Sequence, residues 1–127
     1  MLTGWRTHTT LPVSDMERAR RFYEGTLGFQ PQAILPGGVR YVAGEGTAFL
    51  IFPSSGKAAG THTQMGFTVD DIEVEVKELK AKGVTFETYD FAGFDQATSI
   101  ASFPATRSAW FRDSEGNLLG IVQFSGG

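Results

Sequence analysis

The sequence predicts an α+β chain built from two βαβββ modules, and three observations predict it. Leu-Pro-Val-Ser-Asp-Met-Glu at residues 11–17 returns as Phe-Thr-Val-Asp-Asp-Ile-Glu at 67–73, 56 positions later. Gly28 closes the helical pattern after the first copy, and Gly83 closes the one after the second. Gly46-Thr47 then opens a late apolar run as Gly116-Asn117 does, this time 70 positions apart. Two copies with one order of elements mark an internal duplication. The wider late offset gives the second module about 14 extra residues, which fall between Gly83 and Gly116.

Residues 5–13 have the Thr, Val and Trp content of a strand, with Pro12 near its end. Ser14 stands three residues before Glu17, the spacing of a capping box. Met16, Ala19, Phe22, Tyr23 and Leu27 then recur at three- and four-residue steps, the apolar stripe of a helix that Gly28 stops. In the second copy Asp70 is the expected cap and Glu73 follows at the third position. Ile72, Val76 and Leu79 form the buried side there, and Lys77, Lys80 and Lys82 suit the carboxyl end of the helix dipole. Short apolar segments broken by turn residues complete the modules, at 29–35, 38–43 and 47–52 and again at 84–89, 108–112 and 117–124.

Pro-Ser-Ser-Gly-Lys-Ala-Ala-Gly at 53–60 has a linker's composition. Module 1 therefore spans about 5–52 and module 2 about 61–124 of one domain covering 1–127. The extra length lies at 90–107, where Phe91, Phe94, Ile100 and Phe103 are scattered. Such a stretch is either a lid or binding loop or an ordered excursion that tucks its phenylalanines into the core, and the sequence leaves both open.

A chain of 127 residues suits a single core, and a module of roughly 55 to 65 residues is marginal alone, so the halves are expected to share that core. The absence of cysteine excludes disulfides, thiolate metal sites and a cysteine nucleophile. A net charge of -3 without a basic patch argues against nucleic acid as a partner, and Arg18, Arg20 and Arg21 read as a solvated helix face. No apolar stretch approaches the roughly 20 residues that cross a bilayer, and Met1-Leu2-Thr3-Gly4 lacks the features of a signal peptide. The expectation is a cytoplasmic protein with no membrane partner. No nucleophile elbow or phosphate-cradling glycine loop is present. Gly44, Gly46 and Gly116 read as hairpin turns, and Asp113-Ser-Glu-Gly-Asn117 as a turn too short to be a calcium loop.

Three segments carry a family resemblance: Leu11-Pro-Val-Ser-Asp-Met-Glu-Arg-Ala-Arg-Arg-Phe-Tyr-Glu-Gly-Thr-Leu-Gly-Phe29, Val69-Asp-Asp-Ile72 and Phe111-Arg-Asp-Ser-Glu-Gly-Asn-Leu-Leu-Gly-Ile-Val-Gln123. With their spacing they resemble the vicinal oxygen chelate superfamily of glyoxalase I, extradiol dioxygenases, fosfomycin-resistance enzymes and bleomycin-binding resistance proteins. The resemblance implies paired βαβββ modules whose sheets curve around a shared cleft, commonly within a homodimer. Fold alone does not give function.

Strand alternation assigns residues to that implied cleft. Arg6, His8 and Thr10 face it, while residues 7, 9, 11 and 13 face the helix. In module 2 the cleft set is His62, Gln64, Gly66 and Thr68, with Thr63, Met65, Phe67 and Val69 behind. Ala48, Leu50 and Phe52 join from one late strand and Leu118, Gly120 and Val122 from the other. Trp5, Tyr41 and Trp110 are candidates for flat stacking surfaces.

The metal-dependent members place one ligand on the first and last strand of each module, and those spots fall on His8, Leu50, Gln64 and Gly120. Leu50 and Gly120 have no donor atom, and a divalent cation bound by nitrogen and oxygen needs about three. The resemblance therefore implies no metal and no cofactor here. A non-family site would need His8, His62 and Gln64 with a loop carboxylate from Glu45, Asp90 or Asp95.

The leading expectation is a metal-free, non-catalytic protein that sequesters an aromatic or antibiotic-like small organic ligand, with His8, Thr10, Leu50, Phe52, His62, Gln64, Trp110, Leu118 and Gly120 as contacts. The alternative is an enzyme. It would be a metal-dependent lyase, isomerase or dioxygenase using His8 and His62, or a metal-free one using His8 as acid or base. A third reading is a structural or regulatory dimer whose cleft is filled.

Overall fold

The computed structural model describes residues 1–55 and 60–124. Residues 56–59 of the expected linker lie outside the described residues. The chain divides into two compact units, Met1–Lys57 and Ala58–Gly127. No helix among the described residues is long and apolar enough to cross a membrane.

Unit 1 contains β1 (Thr9–Val13), α1 (Met16–Arg20), β2 (Pro31–Leu35), β3 (Gly38–Val42) and β4 (Ala48–Pro53), with sheet order β1-β4-β3-β2. β1 and β4 run parallel, and the other pairs are antiparallel. Leu11 and Val13 on β1 and Phe49 and Ile51 on β4 are buried, while Thr10, Leu50 and Phe52 sit on the opposite, more open face. Period-2 alternation thus holds wherever the backbone is extended. It begins later than expected, because residues 5–8 are outside any strand and Leu2–Gly4 form a single 3₁₀ turn.

Unit 2 contains β5 (Met65–Thr68), α2 (Ile72–Ala81), β6 (Phe94–Asp95), β7 (Ile100–Ser102), β8 (Thr106–Arg112) and β9 (Leu118–Phe124), with sheet order β5-β9-β8-β7-β6. The parallel pairing of β5 with β9 repeats that of β1 with β4. Ile72, Val76, Val84, Phe86, Ala109, Phe111, Leu119 and Ile121 are buried, so this unit too buries a row of apolar side chains.

Both helix caps differ by one residue from expectation. Asp15 accepts the Arg18 N–H at 3.0 Å, and Asp71 accepts from Glu73 and Val74 at 3.1 and 3.3 Å. Each copy offers two cap-competent residues in a row, and the second leaves Ile72 at the first helical position, where it is fully buried. The Ser14 hydroxyl instead accepts from the Arg18 guanidinium at 3.3 Å. After α1 the chain widens into a π turn over Arg21–Thr26, with Leu27 N–H on the Phe22 carbonyl at 2.9 Å. Gly28 and Gly83 end the two helical stretches at φ 85 and 94, the left-handed conformation of a helix terminus.

The strand expected at 84–89 is reduced to one bridge, Phe86 to Phe111, with Glu87 N–H on the Trp110 carbonyl at 2.8 Å. The inserted residues supply the reason. β7 pairs with Ser108 and Arg107 along the same strand, so the extra segment takes over part of the edge that 84–89 would have filled. Residues 90–107 are an ordered hairpin that divides its apolar side chains: Ile100 and Ala101 enter the core, whereas Phe91 and Phe103 are 41% and 45% exposed.

Candidate ligand-binding site

β8 alternates across the sheet of unit 2. Ala109 and Phe111 are buried, and Trp110 projects from the opposite face. Its direct neighbour on β9 is Gly120. A Cβ built on Gly120 would stand 3.3 Å from Trp110 Cδ1 and 3.1 Å from the Thr63 methyl carbon. The glycine therefore gives the indole and Thr63 room to cover the strand. Trp110 donates its indole N–H to Thr63 Oγ1 at 3.1 Å.

Thr63 is on the open face because the chain bends at Thr61, His62 and Gln64 before β5 starts at Met65. Extended alternation had put Thr63 behind the sheet, and a bend rotates the side chains out of that pattern. Gln64 holds the bend in place. Its N–H donates to the Leu118 carbonyl at 2.8 Å, its amide oxygen accepts the Leu118 N–H at 3.1 Å, and its amide nitrogen donates to Asn117 at 2.9 Å. Asn117 is fully buried and donates in turn to Asp113 at 2.8 Å.

Next to Trp110 lies an aromatic cluster fed by the inserted segment. Tyr89 meets Trp110 edge-on at 5.4 Å between centroids and meets Phe91 at 6.0 Å, and Phe91 stacks on Phe103 at 6.1 Å. Together they wall a hollow of about 390 Å³ lined by Thr61, Thr63, Tyr89, Phe91, Phe103, Trp110 and Leu118. None of these side chains carries a charge at neutral pH. Burial first, and the Glu87 charge second, raise the Tyr89 hydroxyl above its ordinary value of 10.0, so it stays a neutral donor.

The expected contacts are distributed unevenly. Trp110 and Leu118 line the hollow, and Gly120 lies beneath the indole. Gln64 commits its amide to β9 and its turn. His62 is exposed on the bend and is absent from the lining. Thr10, Leu50 and Phe52 share the open face of the unit 1 sheet, Thr10 directly beside Leu50, and His8 is exposed just ahead of β1. Of the other flat candidates, Tyr41 is a core residue stacked on Tyr23 at 5.8 Å, and Trp5 is 74% exposed outside any strand.

Thr61, Thr63, Tyr89, Phe91 and Phe103 line the hollow without being among the contacts expected from the sequence. The scattered phenylalanines of 90–107 were the only visible signal for two of them.

The residues present do not fit the family's metal. Leu50 and Gly120 offer no donor, the Gln64 amide is engaged at both ends, and the space above Gly120 is taken by Trp110 and Thr63. Among the described residues no group of three or more His, Asp or Glu side chains could hold a metal ion.

Two units with the same parallel first-to-last strand pairing, one of them with an aromatic-walled hollow on its sheet, define a fold of the paired-module class. The chain belongs to the glyoxalase/bleomycin resistance protein/dioxygenase superfamily, whose family model matches residues 5–121. It is 31% identical over 131 residues to the uncharacterized protein YurT of Bacillus subtilis (strain 168), covering 91% of this chain and 95% of that one. Among solved structures, UcmS2 superposes with a TM-score of 0.72 at 19% identity, covering 93% of this chain and 98% of its own. TnmS3 from Streptomyces sp. CB03234, described as an antibiotic binding protein, has a TM-score of 0.66 at 25% identity, covering 94% and 98%.

Proposed function

We propose that the chain is a metal-free binding protein for a small, flat, uncharged organic molecule of antibiotic-like character, held in the hollow of unit 2. The observation that carries this reading is the wall itself: four aromatic rings and three further uncharged residues around about 390 Å³. That volume falls in the usual range for small-molecule pockets, and an apolar wall with a few hydroxyls suits an organic ligand. Rigid rings reward a planar partner through offset or edge-on contact. The likeness to TnmS3 supports the same ligand class. The absence of donor atoms at Leu50 and Gly120 supports binding without a cation.

The test uses Trp110 as reporter. In a Trp5→Phe background Trp110 is the remaining tryptophan. Titration with a panel of planar aromatic natural products is expected to quench or shift its emission saturably. A panel in which no member does so counts against the reading. We further propose that the working form is a homodimer, as the family resemblance implies, and light scattering showing only single-chain mass would refute it.

A further inference from the structure

The Thr63 hydroxyl already has one partner. A hydroxyl has one proton to donate and two lone pairs to accept with, and Thr63 spends a lone pair on the Trp110 N–H at 3.1 Å. Among the described residues no acceptor takes its proton. Accepting a hydrogen bond polarises an O–H group and makes it a better donor. The same contact removes the indole N–H from the wall, so Trp110 presents ring surface while Thr63 presents a proton.

Position sets Thr63 apart from the Thr61 hydroxyl of the same hollow. The neighbouring Gln64 is tied by its backbone and by both ends of its amide to Leu118 and Asn117. Thr63 is therefore held by rigid strand backbone on one side and by the indole on the other. Thr61 stands farther along the bend, beyond the pinned residue. A preorganised donor contributes more to affinity because little is left to order on binding.

We propose that the hollow selects planar aromatic ligands that carry an acceptor oxygen on or directly beside the ring system, with that oxygen taking the Thr63 proton while the ring lies against Trp110. This rests on the binding reading above and names its ligand chemistry more closely.

Fluorene and fluorenone are the probes, because they share a tricyclic outline and differ by one carbonyl. Their dissociation constants are measured by equilibrium dialysis for the wild type, Thr63→Val and Thr63→Ser. The ratio of the fluorene constant to the fluorenone constant is read, which cancels any general loosening of the hollow. That ratio is expected to fall about three- to tenfold in Thr63→Val, the worth of one ordinary hydrogen bond, and to be kept in Thr63→Ser. If both compounds bind and Thr63→Val leaves the ratio unchanged, the acceptor inference is overturned and the binding reading stands. A ratio lost equally in Thr63→Ser overturns it too. If neither compound binds the wild type, both fall.

Discussion

Gly120 and Trp110 face each other across β9 and β8, and the indole Cδ1 lies 3.3 Å from where a Cβ at position 120 would be. One residue's missing side chain is the other's seat. The same position has no donor to offer a metal, so in this chain the glycine supports a ring.

Adding even a methyl group there should disturb that arrangement. Gly120→Ala is expected to lower stability by less than about 1 kcal/mol, since both neighbours must move by a few tenths of an ångström but are side chains on the open face. In the Trp5→Phe background its Trp110 emission should shift relative to the parent. Urea unfolding and emission spectra check both, and an unchanged spectrum would mean that the indole does not depend on Gly120.

Phe91 and Phe103 are partly exposed and belong to the wall rather than to the core. Phe91→Ser and Phe103→Ser should each lower stability by about 1–2 kcal/mol, because each ring is more than half buried and the two stack on each other. Each should weaken binding of a planar aromatic ligand by about fivefold or more. A large fall in melting temperature with affinity intact would assign these rings to packing instead.

Asn117 joins Gln64 to Asp113 and has no solvent exposure. Asn117→Ala takes a hydrogen bond from the buried Asp113 carboxylate and is expected to cost about 1–3 kcal/mol. It should also loosen the bend that carries Thr63, so ligand affinity should fall with stability. Denaturant titration and ligand titration on one preparation test the coupling.

Metal dependence has a direct check. Chelator dialysis is expected to leave both the melting temperature and the ligand affinity unchanged, and His8→Ala is expected to bind ligand as the parent does. One equivalent of a divalent ion per chain, retained through purification and lost in His8→Ala, would restore the enzyme alternative built on His8 and His62.

The pH dependence of stability should carry the mark of Glu24 and Tyr41. The hydrogen bond from Arg20 at 2.7 Å, helped by that from the Tyr41 hydroxyl at 2.8 Å and opposed by burial, holds the Glu24 carboxyl below its ordinary value of 4.5. A lowered carboxyl contributes stability above its unfolded value and loses it as pH falls through the folded one, so this part disappears on acidification below 4.5. Tyr41 is raised above 10.0, by burial first and then by Glu24. Its contribution is complete below 10.0 and is lost as pH rises towards the folded value. Glu24→Gln should flatten the acid limb while leaving most of the alkaline one, which unfolding midpoints across pH would show.

What the sequence determined by itself was the duplicated scaffold. Helix stripes, glycine stops and strand alternation are local or short-period signals, and they placed Leu11, Val13, Ala19, Tyr23, Ile72 and Val76 on buried faces without knowledge of any contact. Periodicity also put Leu118 and Gly120 on one face, because β9 is regular throughout, while it left the facing of Trp110 open. Tertiary structure decided the rest. The bend at 61–64 breaks the two-residue period, and it is held by bonds from Gln64 to residues more than fifty positions away, so Thr63's direction could not be read locally. The gathering of Tyr89, Phe91 and Phe103 beside Trp110 likewise depends on an inserted hairpin pairing with a distant strand edge. Local propensity names the elements, but long-range pairing chooses which side chains share a hollow.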